Sequence, residues 1–527
     1  KSPANNPVSS DQHIKAPYLT QFMAEPYYIG MPAITTVAGG RTFLAMGHIA
    51  HHPREWEMLN RLVARNGYNG QVIWERKFDD DYLVHRSAFV AAEDTFYMID
   101  GDHVLKLDAR TGEEQGTIEI PELDGDWKWI AMADGVLYAL AGEPGPGAEL
   151  VKGNRAFGGW SWADLSKGYY GKRIPHGFGD QIAAYDVEKK EVIWKHEEGS
   201  LIDARGLAIQ DEQFFLYCPD KHIRALNRET GKVLWTNDRE PDLTLIEEPG
   251  KGLSSTPGWR TQTIVVATPD ALVVQGQTRM NVLGISTKDG SMLWQKSKIT
   301  NNPNAIFIDG EVILGVGEGG SHVAIDPVTG TVSRNLGFHK RACTRLTACP
   351  DSMFTRGEGM QRIDRATGKI TVDGAVRPAC NDGVIPANGL LYLGPWACDC
   401  NLSLIGNVAR TSAGDFRFDH PVESSQQLQV GDPIKFQPLA IEETDWSTYR
   451  GNNQRSASSP VMIGGHIAER WNFEPNLEFT PTEATSAYGL AYFGGSDGKV
   501  RAIDLKHGKE TWSFATGGVI KYPPTIA

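Results

Sequence analysis

The sequence is short of several things, and each shortage excludes something. No apolar run approaches the ~20 residues a membrane-spanning helix needs, so no membrane span is expected. Basic residues are nowhere concentrated and the net charge is −13, a sign that opposes phosphate backbones, so no nucleic-acid partner is expected. There is no Gly-rich nucleotide loop, no Gly-x-Ser-x-Gly elbow and no His-Glu-x-x-His pair. The six cysteines form neither a Cys-x-x-Cys-His haem attachment nor paired Cys-x-x-Cys zinc spacing. The chain opens Lys1-Ser2-Pro3 without an initiator Met or a signal peptide. We read this as a processed form, which makes the periplasm or the extracellular space the expected location.

What is present points to turns and to a repeated use of tryptophan. There are 57 Gly, 29 Pro and 14 Trp. One phrase recurs. "NGYNGQVIW" runs from Asn66 to Trp74, "DVEKKEVIW" from Asp186 to Trp194 and "NRETGKVLW" from Asn227 to Trp235. "STKDGSMLW" follows from Ser286 to Trp294 and "DLKHGKETW" from Asp504 to Trp512. Weaker copies begin at Asp108, Asp326 and Asp364; they keep the turn and lose the Trp.

The phrase reads as a hairpin. Apolar residues alternate before the Asp, as in "QIAAYD", "HIRALN" and "KVRAID", which suits a half-buried strand. The Asp or Asn bonds back to the turn backbone, and the Gly supplies φ > 0. A Trp at a fixed place can dock between neighbouring units and bury a large area. Further short strands precede most copies, giving units of four antiparallel strands. Several gaps between copies are near the ~40–50 residues of a propeller blade. A solenoid would have shorter periods, and sandwiches rarely repeat one hairpin phrase so faithfully.

We therefore expect an all-β chain: an eight-bladed β-propeller of four-stranded blades locked by docked tryptophans. Residues 1–29 form an N-terminal extension and residues 30–430 the propeller, with an aromatic and Gly-rich insertion at 141–180. Residues 440–527 read as the start of a second propeller, completed by a further chain or a cleaved C-terminal part, or as blades that close the first ring.

The phrases resemble the Ala-x-Asp-x-x-Thr-Gly-Lys-x-x-Trp repeats of pyrroloquinoline-quinone (PQQ)-type propellers. The segment from His339, "HKRACTRLTACPDSMFTRGEGMQ", and "DWSTYRGNNQRSASSP" from Asp445 look like large secreted propeller proteins of planctomycetes and related bacteria. The resemblance implies the fold and an export prior. It leaves the activity open, because such repeats occur both in quinoprotein dehydrogenases and in non-catalytic scaffolds. Quinoprotein alcohol dehydrogenases carry a disulfide between adjacent cysteines, and no adjacent pair exists here, which speaks against PQQ itself.

Propellers place ligands in a central funnel, and three groups of residues are candidates for it. In "GHIAHHPREWE", His48, His51 and His52 can converge on a divalent metal such as Ca, Zn, Cu or Mn, with His48 and Arg54 as catalytic candidates. The bland alternative is a solvated loop. Arg341, Arg345, Arg356 and Arg377 can make a cationic patch for a carboxylate or sulfate, with Arg341 a catalytic candidate and His339 a cofactor contact. In the same segment, Cys343, Cys349, Cys380, Cys398 and Cys400 are disulfide candidates, with a thiolate metal site or free thiols as the alternatives. In the insertion, Trp160, Trp162 and Tyr169 offer a platform for a sugar ring or planar cofactor, or an interface. Three functions follow as expectations. One is a metal- or cofactor-dependent oxidoreductase on alcohols or sugars, and another a metal-dependent polysaccharide lyase. The third is a non-catalytic scaffold in the cell envelope.

Overall fold

The computed structural model describes residues 3–24, 31–49, 58–80, 82–144, 177–219, 221–247, 263–275, 281–297, 299, 305–315, 321–340, 344–378, 383–394, 406–414, 441–475, 479–516 and 518–526. Two compact units divide the chain: Lys1–Gly70 with Arg76–Ala413, and Gln71–Glu75 with Gly414–Ala527. Among the described residues are nine four-stranded antiparallel sheets, eight within residues 18–412 and one within residues 485–515. One α-helix is described, Glu240–Glu247.

The first seven sheets each take four consecutive strands. The eighth takes Ile385–Ala387, Leu390–Leu393 and Asn407–Ser412, and its outer strand comes from the other end of the chain. Tyr18–Ala24 runs antiparallel to Asn407–Ser412, with Tyr18 opposite Ser412 and Ala24 opposite Asn407. The exposed edge that Asn407–Ser412 would otherwise present is thereby covered. Neighbouring sheets meet chiefly through their first strands. Met31–Ala38 touches both Phe89–Ala91 of the second sheet and Ile385–Ala387 of the eighth, so the succession closes on itself. These four-stranded antiparallel sheets are the propeller blades expected from the repeats.

The turn chemistry follows the sequence reading. In the fourth sheet, Asn227 Oδ1 accepts from the backbone N–H of Glu229 at 3.1 Å and of Thr230 at 2.9 Å, while Gly231 N–H donates to the Asn227 carbonyl at 2.8 Å. Asp108, Asp186, Asp326 and Asp504 accept from their following amides in the same way.

The tryptophans sit where expected and do one thing more. The Trp194, Trp235 and Trp294 side chains stand on a sheet's fourth strand and lie on the turn of the next sheet, at relative exposures of 7, 7 and 8 %. Each indole N–H donates to the carbonyl of the residue after the turn's Asp-like position. The acceptors are Arg228 at 2.7 Å, Thr287 at 2.8 Å and Pro327 at 2.8 Å. Each ring also covers that turn's glycine: a Cβ on Gly231, Gly290 or Gly330 would come closer than 3.0 Å to the indole. Phe22, on the strand that completes the eighth sheet, covers Gly70 of the first sheet in the same manner. In the second unit Trp471 donates to the Leu505 carbonyl at 2.9 Å and covers Gly508. Trp512 departs from the pattern. It is 45 % exposed, and among the described residues no later sheet supplies a turn for it.

Candidate functional site: the central channel

The first strands of the sheets surround a cavity of about 440 Å³, within the size range of small-molecule sites. Thr35 and Thr36 of the first sheet, Phe89 of the second, Trp129 of the third and Thr347 of the seventh are among its walls. One wall is the chain's own beginning. Residues 3–9 run across the first strands of four successive sheets. The carbonyls of Pro3, Ala4 and Pro7 accept from the N–H groups of Ile209 at 2.8 Å, Ala267 at 3.2 Å and Ala348 at 3.2 Å. Asn5 Nδ2 donates to the Val265 carbonyl at 2.9 Å. Asn6 makes a two-way pair with Phe307, donating to its carbonyl at 2.7 Å and accepting from its N–H at 3.0 Å. Pro3 and Pro7 bracket this strap; proline favours extended backbone before itself and removes donors that would need partners.

Three arginines line the cavity: Arg86, Arg205 and Arg345. Arg205 forks onto the fully buried Asp203, with Nε to Oδ1 at 2.7 Å and Nη2 to Oδ2 at 2.5 Å. Thr263 Oγ1 donates to the same carboxylate at 3.1 Å. Arg345 grips the strap, reaching the Asn5 carbonyl at 2.5 Å and Asn5 Oδ1 at 3.3 Å. No Asp, Glu or His is among the described lining residues, and Asp203 stands behind Arg205. The wall is therefore cationic in a protein whose net charge is −13. Such a wall, with planar forks and several hydroxyls, recognises a carboxylate, sulfate or phosphate group.

Of the residues singled out in the sequence, Arg345 reaches the channel. Arg356 and Arg377 are buried and do not line it, and His339 is exposed, away from the described lining. His48 falls at the end of strand Arg41–Ile49. Its side chain, with His51, His52, Arg54, Arg341, Trp160, Trp162 and Tyr169, lies outside the described residues. So do Cys343, Cys380, Cys398 and Cys400. Cys349 follows the free-thiol alternative. It is a free thiol buried beside Ile14, Phe354 and Met360, and burial raises its pKa, so it behaves as a small core residue. The sequence reading missed the strap, Arg86 and Arg205. The Pro-bracketed Asn5-Asn6 pair was the available signal for the strap.

Residues 176–305 match the family model described as outer membrane protein assembly factor BamB. No curated protein matches the chain. Among solved structures, the computationally designed Ika8 protein aligns at 13 % identity and TM-score 0.47, covering 72 % of this chain and 95 % of its own. BamB from Moraxella catarrhalis aligns at 16 % identity and TM-score 0.35, covering 61 and 74 %. The quinohemoprotein alcohol dehydrogenase from Comamonas testosteroni aligns at 12 % identity and TM-score 0.45, covering 78 % of each chain. The matched stretch, residues 176–305, holds the turns at Asp186, Asn227 and Ser286 and is similar to the propeller repeats of that family model.

Proposed function

We propose that the protein is an exported propeller that binds an anionic small molecule or carbohydrate in its central channel, between Arg86, Arg205 and Arg345. The observation that carries this reading is that three arginines, from the segments leading into the second, fourth and seventh sheets, line one cavity of about 440 Å³. Asp203 fixes the plane of Arg205, and the Asn5 backbone fixes Arg345, so the donors are set before a ligand arrives. PQQ itself does not fit: residues 3–9 stand across the first strands of four sheets, and no adjacent cysteine pair exists to lie against a quinone. No reaction step is assigned to it. Calorimetric titration with uronate, sulfated sugar and inorganic phosphate tests the reading. One of them binds the wild type, and Arg86→Gln or Arg345→Gln weakens it about tenfold or more. Binding that ignores both variants, or no binding by any of the three, overturns it. Consumption of a uronate polymer or a sugar alcohol in the same assays would extend the reading to a lyase or an oxidoreductase.

A second reading has its own support. The matched family model is described as an assembly factor, and the strap demonstrates that the first strands of this propeller accept an extended peptide. A scaffold that holds a partner's extended segment in the cell envelope follows from that. Co-purification from an envelope fraction that survives Arg86→Gln favours this reading over the small-ligand one.

A further inference from the structure

Away from the channel, the seam between the third and fourth sheets buries an ionisable cluster. His196 and Glu198 are two residues apart on strand Glu191–Asp203, so their side chains leave the same face. Cys218 and His222 stand opposite each other across the hairpin joining Gln213–Cys218 to His222–Asn227. These side chains converge. His222 Nε2 is 2.7 Å from Glu198 Oε1, and His196 Nε2 is 2.9 Å from Glu198 Oε2. Arg224 Nη1 donates to Oε1 at 2.6 Å. The donor atoms of Glu198, Cys218 and His222 all lie within 4.8 Å of one another. The thiol's hydrogen bond, to the Ser200 carbonyl, is long at 4.0 Å.

A carboxylate facing Arg224 alone would be an ordinary buried salt bridge. Here two adjacent sheets bring an imidazole, a thiol and a carboxylate to one point, the donor set of a borderline-soft cation, with a second imidazole, His196, on the far carboxylate oxygen. We propose that this seam is a zinc site, with Glu198, Cys218 and His222 as ligands and His196 as an outer partner on the other carboxylate oxygen. Ligand atoms at about 2.0–2.3 Å from a tetrahedral ion stand roughly 3.3–3.7 Å apart. The His222–Glu198 pair therefore opens by roughly half an ångström, a small side-chain rotation. The ion displaces the thiol proton to solvent and takes His222 through Nε2, with the ring proton on Nδ1. Glu198 and the Cys218 thiolate together offset the ion's charge. Arg224 stays on the carboxylate as an outer partner that orients it. Such an ion ties the third sheet to the fourth.

The test uses the full chain, stripped with a chelator and titrated with cobalt(II), then with zinc. The wild type takes up one equivalent of cobalt at this site and gives a thiolate-to-cobalt charge-transfer band, which zinc bleaches. Cys218→Ser loses the band. His222→Gln keeps the wild-type circular dichroism and binds cobalt about tenfold more weakly or worse. A band of undiminished intensity in Cys218→Ser overturns the proposal. So does wild-type uptake no greater than that of His222→Gln, the variant that carries the test should Cys218→Ser fail to fold.

Discussion

Gly290 and Gly368 hold the same place in the same turn, at φ of 74° and 70°, yet only Gly290 lies beneath an indole. A Cβ on Gly368 would meet nothing within 4 Å. The two positions separate two demands that the repeat merges: left-handed backbone, and room for the preceding sheet's Trp. Lys190 makes the same point from the other side. It holds the glycine position of its turn at φ 57°, and the strand of the second sheet that would cover it, Glu114–Ile118, carries Gly116 where a Trp would stand. Gly→Ala at either site pays about 1 kcal/mol for the left-handed conformation. At Gly290 overpacking against Trp235 adds about 1–3 kcal/mol. Denaturant unfolding checks this; equal losses would mean that the indole does not explain the glycine. The residue scale also carries a pH effect. Burial pushes the Glu198 carboxyl up, but hydrogen bonds from His196 and His222 and the charge of Arg224 outweigh it and hold its pKa at about 2. A depressed carboxylate stabilises above its ordinary pKa of 4.5, and that stability is lost as pH falls through 4.5 toward 2. Glu198→Gln removes this slope and leaves Arg224 without its counter-charge, at a cost of about 3–5 kcal/mol near neutral pH. Stability measured against pH for the two proteins shows both effects, and a variant with the wild-type slope would contradict the assignment.

At the scale of the element, the hairpin was the most legible part of the chain because its signals are local. Alternation, an Asp or Asn, a Gly four residues on and a Trp four further fit inside nine residues. The same economy makes the turn acid-sensitive. Hydrogen bonds from the Thr367 hydroxyl and amide hold the Asp364 carboxyl at about 2, and following amides hold Asp186, Asp326 and Asp504 below their ordinary value. This support is present above about pH 4 and drains away as pH falls toward 2. Asp364→Asn keeps an acceptor, as Asn66 and Asn227 do naturally, so it holds the turn at neutral pH and flattens the acid limb of the unfolding curve. Seam tryptophans sort by what lies beneath them. Trp235→Ala costs about 3–5 kcal/mol, whereas Trp512→Ala, at a half-exposed position, costs about 0.5–1 kcal/mol. Thermal unfolding of the two variants makes the comparison. The closing strand Tyr18–Ala24 was less legible than the hairpins. Its partner Asn407–Ser412 is nearly four hundred residues away, and nothing in either stretch names the other.

For the molecule as a whole, the channel was the least legible feature, for a physical reason. A propeller's axis is built from one or two residues at the entry to each sheet, so Arg86, Arg205 and Arg345 stand more than a hundred residues apart, and only Arg345 fell within a stretch that the sequence singled out. Crowded histidines and cysteines drew attention instead. One of those cysteines, Cys349, proved to be core packing, while the isolated arginines met at the axis. The strap adds a consequence that can be measured. Asn6→Ala removes both side-chain bonds to Phe307, so the Phe307 amide exchanges hydrogen faster by about tenfold or more, while amides of the outer strands are unchanged. Unchanged exchange at Phe307 would mean that residues 3–9 do not lie on the first strands in solution. The central claim is that an anion is held at the axis of this propeller by arginines at the entries to three sheets. A crystal structure of the full chain soaked with the tightest-binding anion of the titration series tests it most directly. The account predicts the anion's density between Arg86, Arg205 and Arg345. Density confined to the outer edges of the sheets, with the axis empty of the ligand, would contradict it.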